Sequence, residues 1–99
     1  MYARVSWLRF RDGRGPVLET LELERQRKEM EMQTGFRALY AIRSSPTEML
    51  IVRIYDTDAD LRAGFRQGIR TSLGDEFERR PQRWDGEVVV SVEDGSSPQ

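Results

Sequence analysis

Alternation of apolar and polar side chains marks four segments of this chain as strands, and apolar positions recurring every three to four residues mark two as helices. Between Tyr2 and Phe10, Ala3, Val5 and Trp7 share one side while Arg4 and Ser6 share the other, as in a half-polar strand. Arg11-Asp12-Gly13-Arg14-Gly15 interrupts the pattern, and Pro16 suits the first turn of a helix, where its missing N–H costs nothing. That helix is expected to run to about Gln33, with Val17, Leu18, Leu21 and Met32 inward and a Glu24–Lys28 pair outside. Its apolar stripe is thin, which suits cover for the edge of a sheet. Gly35 is placed to end it.

From Phe36 the period returns to two, with Phe36, Ala38, Tyr40 and Ile42 on one side. A polar turn, Ser44-Ser45-Pro46-Thr47, leads into Met-Leu-Ile-Val-Arg-Ile-Tyr, where Leu50, Val52 and Ile54 share a side. Thr57 or Asp58 caps a second helix, with acidic residues in its first turn as the macrodipole favours. Leu61, Phe65 and Ile69 form its buried stripe. Leu73 to Arg80 holds a short helical turn before Pro81, and Glu87 to Glu93 reads as the last strand with Val88, Val90 and Val92 inward. Residues 1–93 are thus expected to form one domain, and 94–99 a disordered tail.

The order β-α-β-β-α-β predicts an α+β, ferredoxin-like sandwich with both helices on one side of an antiparallel sheet. By parity the uncovered side carries Arg4, Ser6 and Leu8; Arg37, Leu39, Ala41 and Arg43; Met49, Ile51, Arg53 and Tyr55; and Glu87, Val89, Ser91 and Glu93. About half of these are apolar, too many for a solvated side. A homodimer through the sheet is therefore expected, with its arginines in salt bridges.

Composition narrows the chemistry. The chain has 99 residues, 16 basic against 17 acidic, for a net charge of −1. That balance argues against nucleic-acid or membrane-surface binding, since both need a one-signed field. No apolar run approaches the roughly 18 residues of a membrane span. The start of the chain lacks the pattern of a signal peptide, so a cytoplasmic location is expected. With no histidine and no cysteine, thiol nucleophiles, Ser-His triads, His-ligated haem and most zinc sites are excluded. Asp56, Asp58 and Asp60 resemble the start of a calcium loop, but no Gly stands at its sixth position and no Glu closes it at its twelfth. They read as helix capping, and no metal site is expected. Gly13 and Gly15 lack any phosphate-loop fingerprint and read as a turn. Arg62, Arg66 and Arg70 make a solvated basic stripe. Gly64 and Gly68 on the second helix mark either close packing on the sheet or room for a ligand.

Tyr2-Ala3-Arg4-Val5-Ser6, Gly35-Phe36-Arg37 with Tyr40, and the strand ending at Tyr55 followed by Asp58-Ala59-Asp60-Leu61-Arg62-Ala63 resemble antibiotic biosynthesis monooxygenase-like domains, over about residues 2 to 72. The resemblance implies a dimeric α+β barrel. It also implies, in some members, small aromatic substrates oxidised without metal or flavin, so no cofactor is expected. Many members end the third strand with Trp and carry a His on the following helix, where this chain has Tyr55 and Gly64. Haem-degrading members use an Asn on the first strand, near Val5 and Ser6 here, so haem degradation is disfavoured.

Two functions fit. One is metal- and flavin-free oxidation of a small phenolic or quinone-like compound, with Tyr55, Arg53 and Tyr40 as candidate catalytic residues and Gly64, Phe65, Trp84 and Trp7 as candidate ligand contacts. The other is a non-catalytic dimeric binding or stress-related module on the same scaffold. A cavity below about 100 Å³ between sheet and helices would exclude the first.

Overall fold

A computed structural model describes residues 1–66 and 76–93, apart from the side chains of Phe65 and Arg66. The elements are β1 (Tyr2–Arg9), α1 (Arg14–Arg25), α2 (Arg27–Glu31), β2 (Phe36–Ser45), β3 (Glu48–Tyr55), α3 (Asp58–Arg66) and β4 (Gln82–Glu87). They form an antiparallel sheet in the order β2-β3-β1-β4. This is the α+β, ferredoxin-like arrangement expected from the order of elements. The expectations for Gly68, Ile69, Arg70 and the tail from residue 94 lie outside the described residues, as do residues 73–75 of the turn expected before Pro81.

Local signals explain most boundaries. Asp12 Oδ1 accepts the Arg14 N–H at 2.8 Å and opens α1. The helix is broken at Gln26, so the single helix expected to reach Gln33 is two. Gly35 has φ of 72°, and a Cβ there would run into the Asp60 side chain, so only glycine makes this turn. Thr57 Oγ1 accepts the Asp60 N–H at 3.1 Å and caps α3.

The side of the sheet that the helices cover is the reverse of the expected one. Along β3, Met49, Ile51, Arg53 and Tyr55 are buried while Leu50, Val52 and Ile54 are only half-buried. The covered side therefore holds Arg4, Ser6 and Leu8 of β1 beside Arg53, Ile51 and Met49 of β3. Both sides of β3 are apolar, so alternation fixes two sets without saying which one faces the helices. The helices decide it. Inward positions of α1 and α2 are Gly15, Pro16, Glu19, Leu23, Gln26 and Met30, whereas Val17, Leu21 and Met32 are exposed. Polar Glu19 and Gln26 complement the arginine-bearing side and would be misplaced over Leu50, Val52 and Ile54.

Two further expectations are corrected. Phe36 does not share a side with Ala38, because the ladder shifts register between them and turns Phe36 onto the ring of Tyr55, edge-on at 5.6 Å. The last strand is Gln82–Glu87, not Glu87–Glu93, and Val89, Val90 and Val92 beyond it are exposed. Asp85 sets that pairing: opposite Arg4, it accepts two hydrogen bonds from the guanidinium at 2.6 and 2.8 Å.

The open side is nearly all apolar. Tyr40, Val52, Val5 and Trp84 form one row across the four strands, and Ile42, Leu50, Trp7 and Gln82 the next. Its charges lie at one end, where Arg9 and Glu48 pair at 2.8 Å. The helix side holds the core, with Leu8, Leu23, Met49 and Ile51 against stacked Phe10 and Phe77, whose rings are 5.0 Å apart.

Candidate functional site

Among the described residues, two cavities lie between the helices and the covered side of the sheet. The larger, about 460 Å³, is walled by Thr20, Leu23, Glu24 and Arg27 from α1 and α2, Met30 and Glu31 from α2, and Phe36, Leu39 and Ala41 from β2. Leu23, Met30, Phe36, Leu39 and Ala41 supply its apolar surface. Its polar rim is preset, since Arg27 pairs with Glu31 at 3.1 Å and with Glu24 at 3.9 Å. The smaller, about 110 Å³, lies on the other side of α1, between Glu19, Glu22, Leu23 and Gln26 and the sheet residues Ser6, Leu8, Ile51 and Arg53, with Phe77 and Pro81 closing one end. Leu23 lines both cavities.

The small cavity is unusually polar for the inside of so short a chain. Glu19, Gln26 and Arg53 are all buried. Burial pushes the Glu19 carboxyl up from its ordinary value, Arg53 pulls it down and Glu22 adds to the rise. Burial also lowers the Arg53 guanidinium, against the opposing pull of Tyr55 and Glu19. Glu22 is held by Arg25 at 2.5 Å and by the Gln26 side-chain amide at 2.7 Å.

Tyr55 and Gly64 come together, but they fill the space between them. The Tyr55 side chain is fully buried and its hydroxyl donates to Gln33 Oε1. A Cβ on Gly64 would stand 2.5 Å from the Tyr55 hydroxyl and 2.9 Å from Gln33 Oε1. Gly64 therefore serves close packing here, and Tyr55 lines neither cavity. Burial raises the Tyr55 hydroxyl above its ordinary value, with Arg53 and then Arg4 opposing. Arg53 alone of the expected catalytic set faces a cavity. Tyr40, Trp7 and Trp84, expected to line a space with Phe65 between sheet and helix, stand on the open side instead, because they follow the parity of Val5 and Val52. The Phe65 side chain lies outside the described residues. Arg62 pairs with Asp58 at 3.1 Å, in keeping with a solvated stripe. Among the described residues no cluster of acidic side chains suited to a metal forms, and no helix is long and apolar enough to cross a membrane.

Glu19 and Gln26 were missed by the reading of the sequence. The signal was present: residues 19, 23, 26 and 30 follow a 4-3-4 spacing, the mark of one helix face, with polar residues at two of the four places.

The fold is that of antibiotic biosynthesis monooxygenase proteins, which agrees with the resemblance carried by the sequence. A Bordetella bronchiseptica protein assigned as an antibiotic biosynthesis monooxygenase superposes with a TM-score of 0.72 at 20% identity, covering 90% of this chain and 97% of that one. A mutant of SnoaB, a cofactor-independent oxygenase from Streptomyces nogalater, gives 0.77 at 11% identity over 94% and 97%. A monooxygenase of Streptomyces coelicolor in complex with the ligand Nanaomycin D gives 0.77 at 12% identity over 94% and 91%. No family model and no curated protein matches this chain. Identities this low establish a shared fold and leave the activity to the site.

Proposed function

We propose that this chain is a homodimeric protein that takes a small aromatic compound into the cavity between α1, α2 and β2 and oxidises it with dioxygen, without metal or flavin. The cavity itself carries the reading. At about 460 Å³ it has the size of small-molecule sites, and an apolar wall of Leu23, Met30, Phe36, Leu39 and Ala41 faces a charged rim. Solved structures of the same fold include a cofactor-independent oxygenase and a monooxygenase in complex with the ligand Nanaomycin D. The cavity's rim of Glu24, Arg27 and Glu31 is proposed to meet polar substrate atoms, while Arg53 borders the smaller cavity. Tyr55 backs the cavity wall through its edge-on contact with Phe36, and Gly64 packs on Tyr55.

The dimer is proposed through the open side of the sheet. Tyr40, Ile42 and Trp84 stand there 58, 48 and 57% exposed, amid a field of Val5, Trp7, Leu50, Val52 and Ile54. Few monomers leave an apolar surface of that extent in water. The same residues read in the sequence as helix-facing are thus the proposed interface. Sedimentation at micromolar concentration is expected to show a dimer, and Val52→Glu a folded monomer. A wild-type monomer would refute this part.

The second reading is binding without turnover, and the engagement of the Tyr55 hydroxyl by Gln33 favours it. 1-Naphthol separates the two. Oxidation would consume one dioxygen per naphthol, one oxygen atom entering the 1,4-naphthoquinone and the other leaving as water. Oxygen uptake that Ala41→Trp abolishes supports oxidation. Fluorescence-detected binding without uptake supports the module, and no binding defeats both.

A further inference from the structure

The small cavity holds two buried acceptors whose needs the fold leaves unmet. Among the described residues Glu19 Oε2 and Gln26 Oε1 have no hydrogen-bond partner, although these residues are only 6 and 3% exposed. A buried acceptor without a donor is costly, so a natural chain retains one where something else supplies the donor. The Gln26 amide is oriented by its own bond to Glu22 Oε1 at 2.7 Å, which leaves its carbonyl oxygen as the free end. Both acceptors line the same space of about 110 Å³, and Arg53 borders that space from β3.

We propose that this chamber binds the hydroxyl end of a phenolic or enolic ligand, with Glu19 Oε2 taking its proton, Gln26 Oε1 accepting from a second donor on the same molecule, and Arg53 facing the resulting oxyanion. The step is a proton transfer: the ligand O–H bond breaks, a carboxyl O–H forms on Glu19, and the electron pair stays on the ligand oxygen. The pair changes from carboxylate beside guanidinium to oxyanion beside guanidinium, so no net charge is created in the buried space. Burial, which raises the carboxyl, makes Glu19 the stronger base of the exchange.

The charged groups around Glu19 are Glu22 on its own helix and Arg53 on β3. Next to Arg53 stands Arg4 of β1, which holds Asp85 of β4. The inference rests on the proposed function in one respect: Leu23 is a wall of both cavities, so a ligand held in the chamber packs against the side chain that also lines the larger space. The chamber lies on the side of the sheet away from the proposed dimer interface and stays accessible in the assembly.

4-Nitrocatechol tests this, because its visible absorption shifts when it ionises and it carries two donors. 1,2-Dimethoxy-4-nitrobenzene, which can donate no proton, is the control. At a pH below the catechol's own ionisation in water, the full-length protein is expected to bind it with the anion's spectrum. Glu19→Gln should bind it at least about tenfold more weakly and without the shift. Gln26→Met should weaken binding while keeping the shift, which provides a second readout should Glu19→Gln fold poorly. Equal binding of the catechol and its dimethyl ether, unaffected by Glu19→Gln, would overturn the inference and leave the larger cavity's role intact. Binding of neither probe would overturn both, with water alone filling the chamber.

Discussion

Replacing Gly64 by alanine sets two opposed effects against each other inside α3. Alanine is about 1 kcal/mol better than glycine in a helix interior, so a helix in isolation would gain. In this fold the new methyl carbon would stand 2.5 Å from the Tyr55 hydroxyl oxygen and 2.9 Å from its ring carbon Cζ. The Tyr55 side chain is fully enclosed and cannot swing aside. Overpacking of this kind costs about 1–3 kcal/mol, and displacing the hydroxyl from Gln33 adds about 1 kcal/mol. The sum is a destabilisation of about 2 kcal/mol for Gly64→Ala. For a domain this size each kcal/mol is worth about 4–8 °C, so the midpoint should fall by about 8–16 °C. Tyr55→Phe alone should cost about 1 kcal/mol through the lost bond to Gln33. The double variant gives the decisive number. Removing the hydroxyl removes the closest clash, so the pair should cost about 1 kcal/mol instead of the additive 3, a coupling of about 2 kcal/mol. Urea unfolding of the four proteins at one matched concentration measures it, since a dimer's midpoint depends on concentration. Additive costs, or a Gly64→Ala protein stabilised by the full helix preference, would show that Tyr55 does not press on α3 as described.

Other consequences follow from single positions. In thermal unfolding, Gly35→Ala should lose about 1–2 kcal/mol from its left-handed backbone alone, with the Asp60 side chain adding to it, and a midpoint equal to wild type would refute this. The buried Glu19 carboxyl should leave a signature in pH. Its folded value is raised above its unfolded one, so the folded state binds the proton more tightly and the burial penalty operates in full only above the raised value. Chemical denaturation should therefore find wild type gaining on Glu19→Gln as pH falls from neutrality through the carboxylate range, and a flat difference would count against a buried, ionised Glu19. Asp85, lowered chiefly by its hydrogen bonds to Arg4, works in the opposite sense: its contribution is present above the ordinary aspartate range and disappears as pH falls through its depressed folded value. The comparison with Glu19→Gln cancels it.

Much of the architecture was legible along the chain. The turn at Gly35, the polar reversal after Ile42, the Thr57 cap and the order of elements follow from local chemistry, and local chemistry is written in neighbouring residues. The paired strands β2 and β3 were legible for the same reason. The candidate site was much less so. Arg53 was singled out, but Glu19 and Gln26 sat in a helix whose inward face was assigned to Val17, Leu18 and Leu21. Tyr40, Trp7 and Trp84 were grouped with Tyr55 because aromatic character alone does not tell one side of a sheet from the other.

What the residues determined unaided is the first three strands, the start of each main helix, the ferredoxin-like order, and two groups of strand positions of opposite parity; the place of the last strand and the break at Gln26 were not among them. What the tertiary structure decided is which group meets the helices. Period-two alternation is symmetric, and with Met49, Ile51 and Tyr55 on one side of β3 and Leu50, Val52 and Ile54 on the other, burial energy separates the two choices weakly. The balance tips at groups far apart in sequence, where Glu19 of α1 and Gln26 at the break after it come to share a cavity with Arg53, and Asp85 meets Arg4. Those polar groups exact a large cost if turned toward the wrong partner, so they set the side on which the helices lie and the place where a ligand can bind.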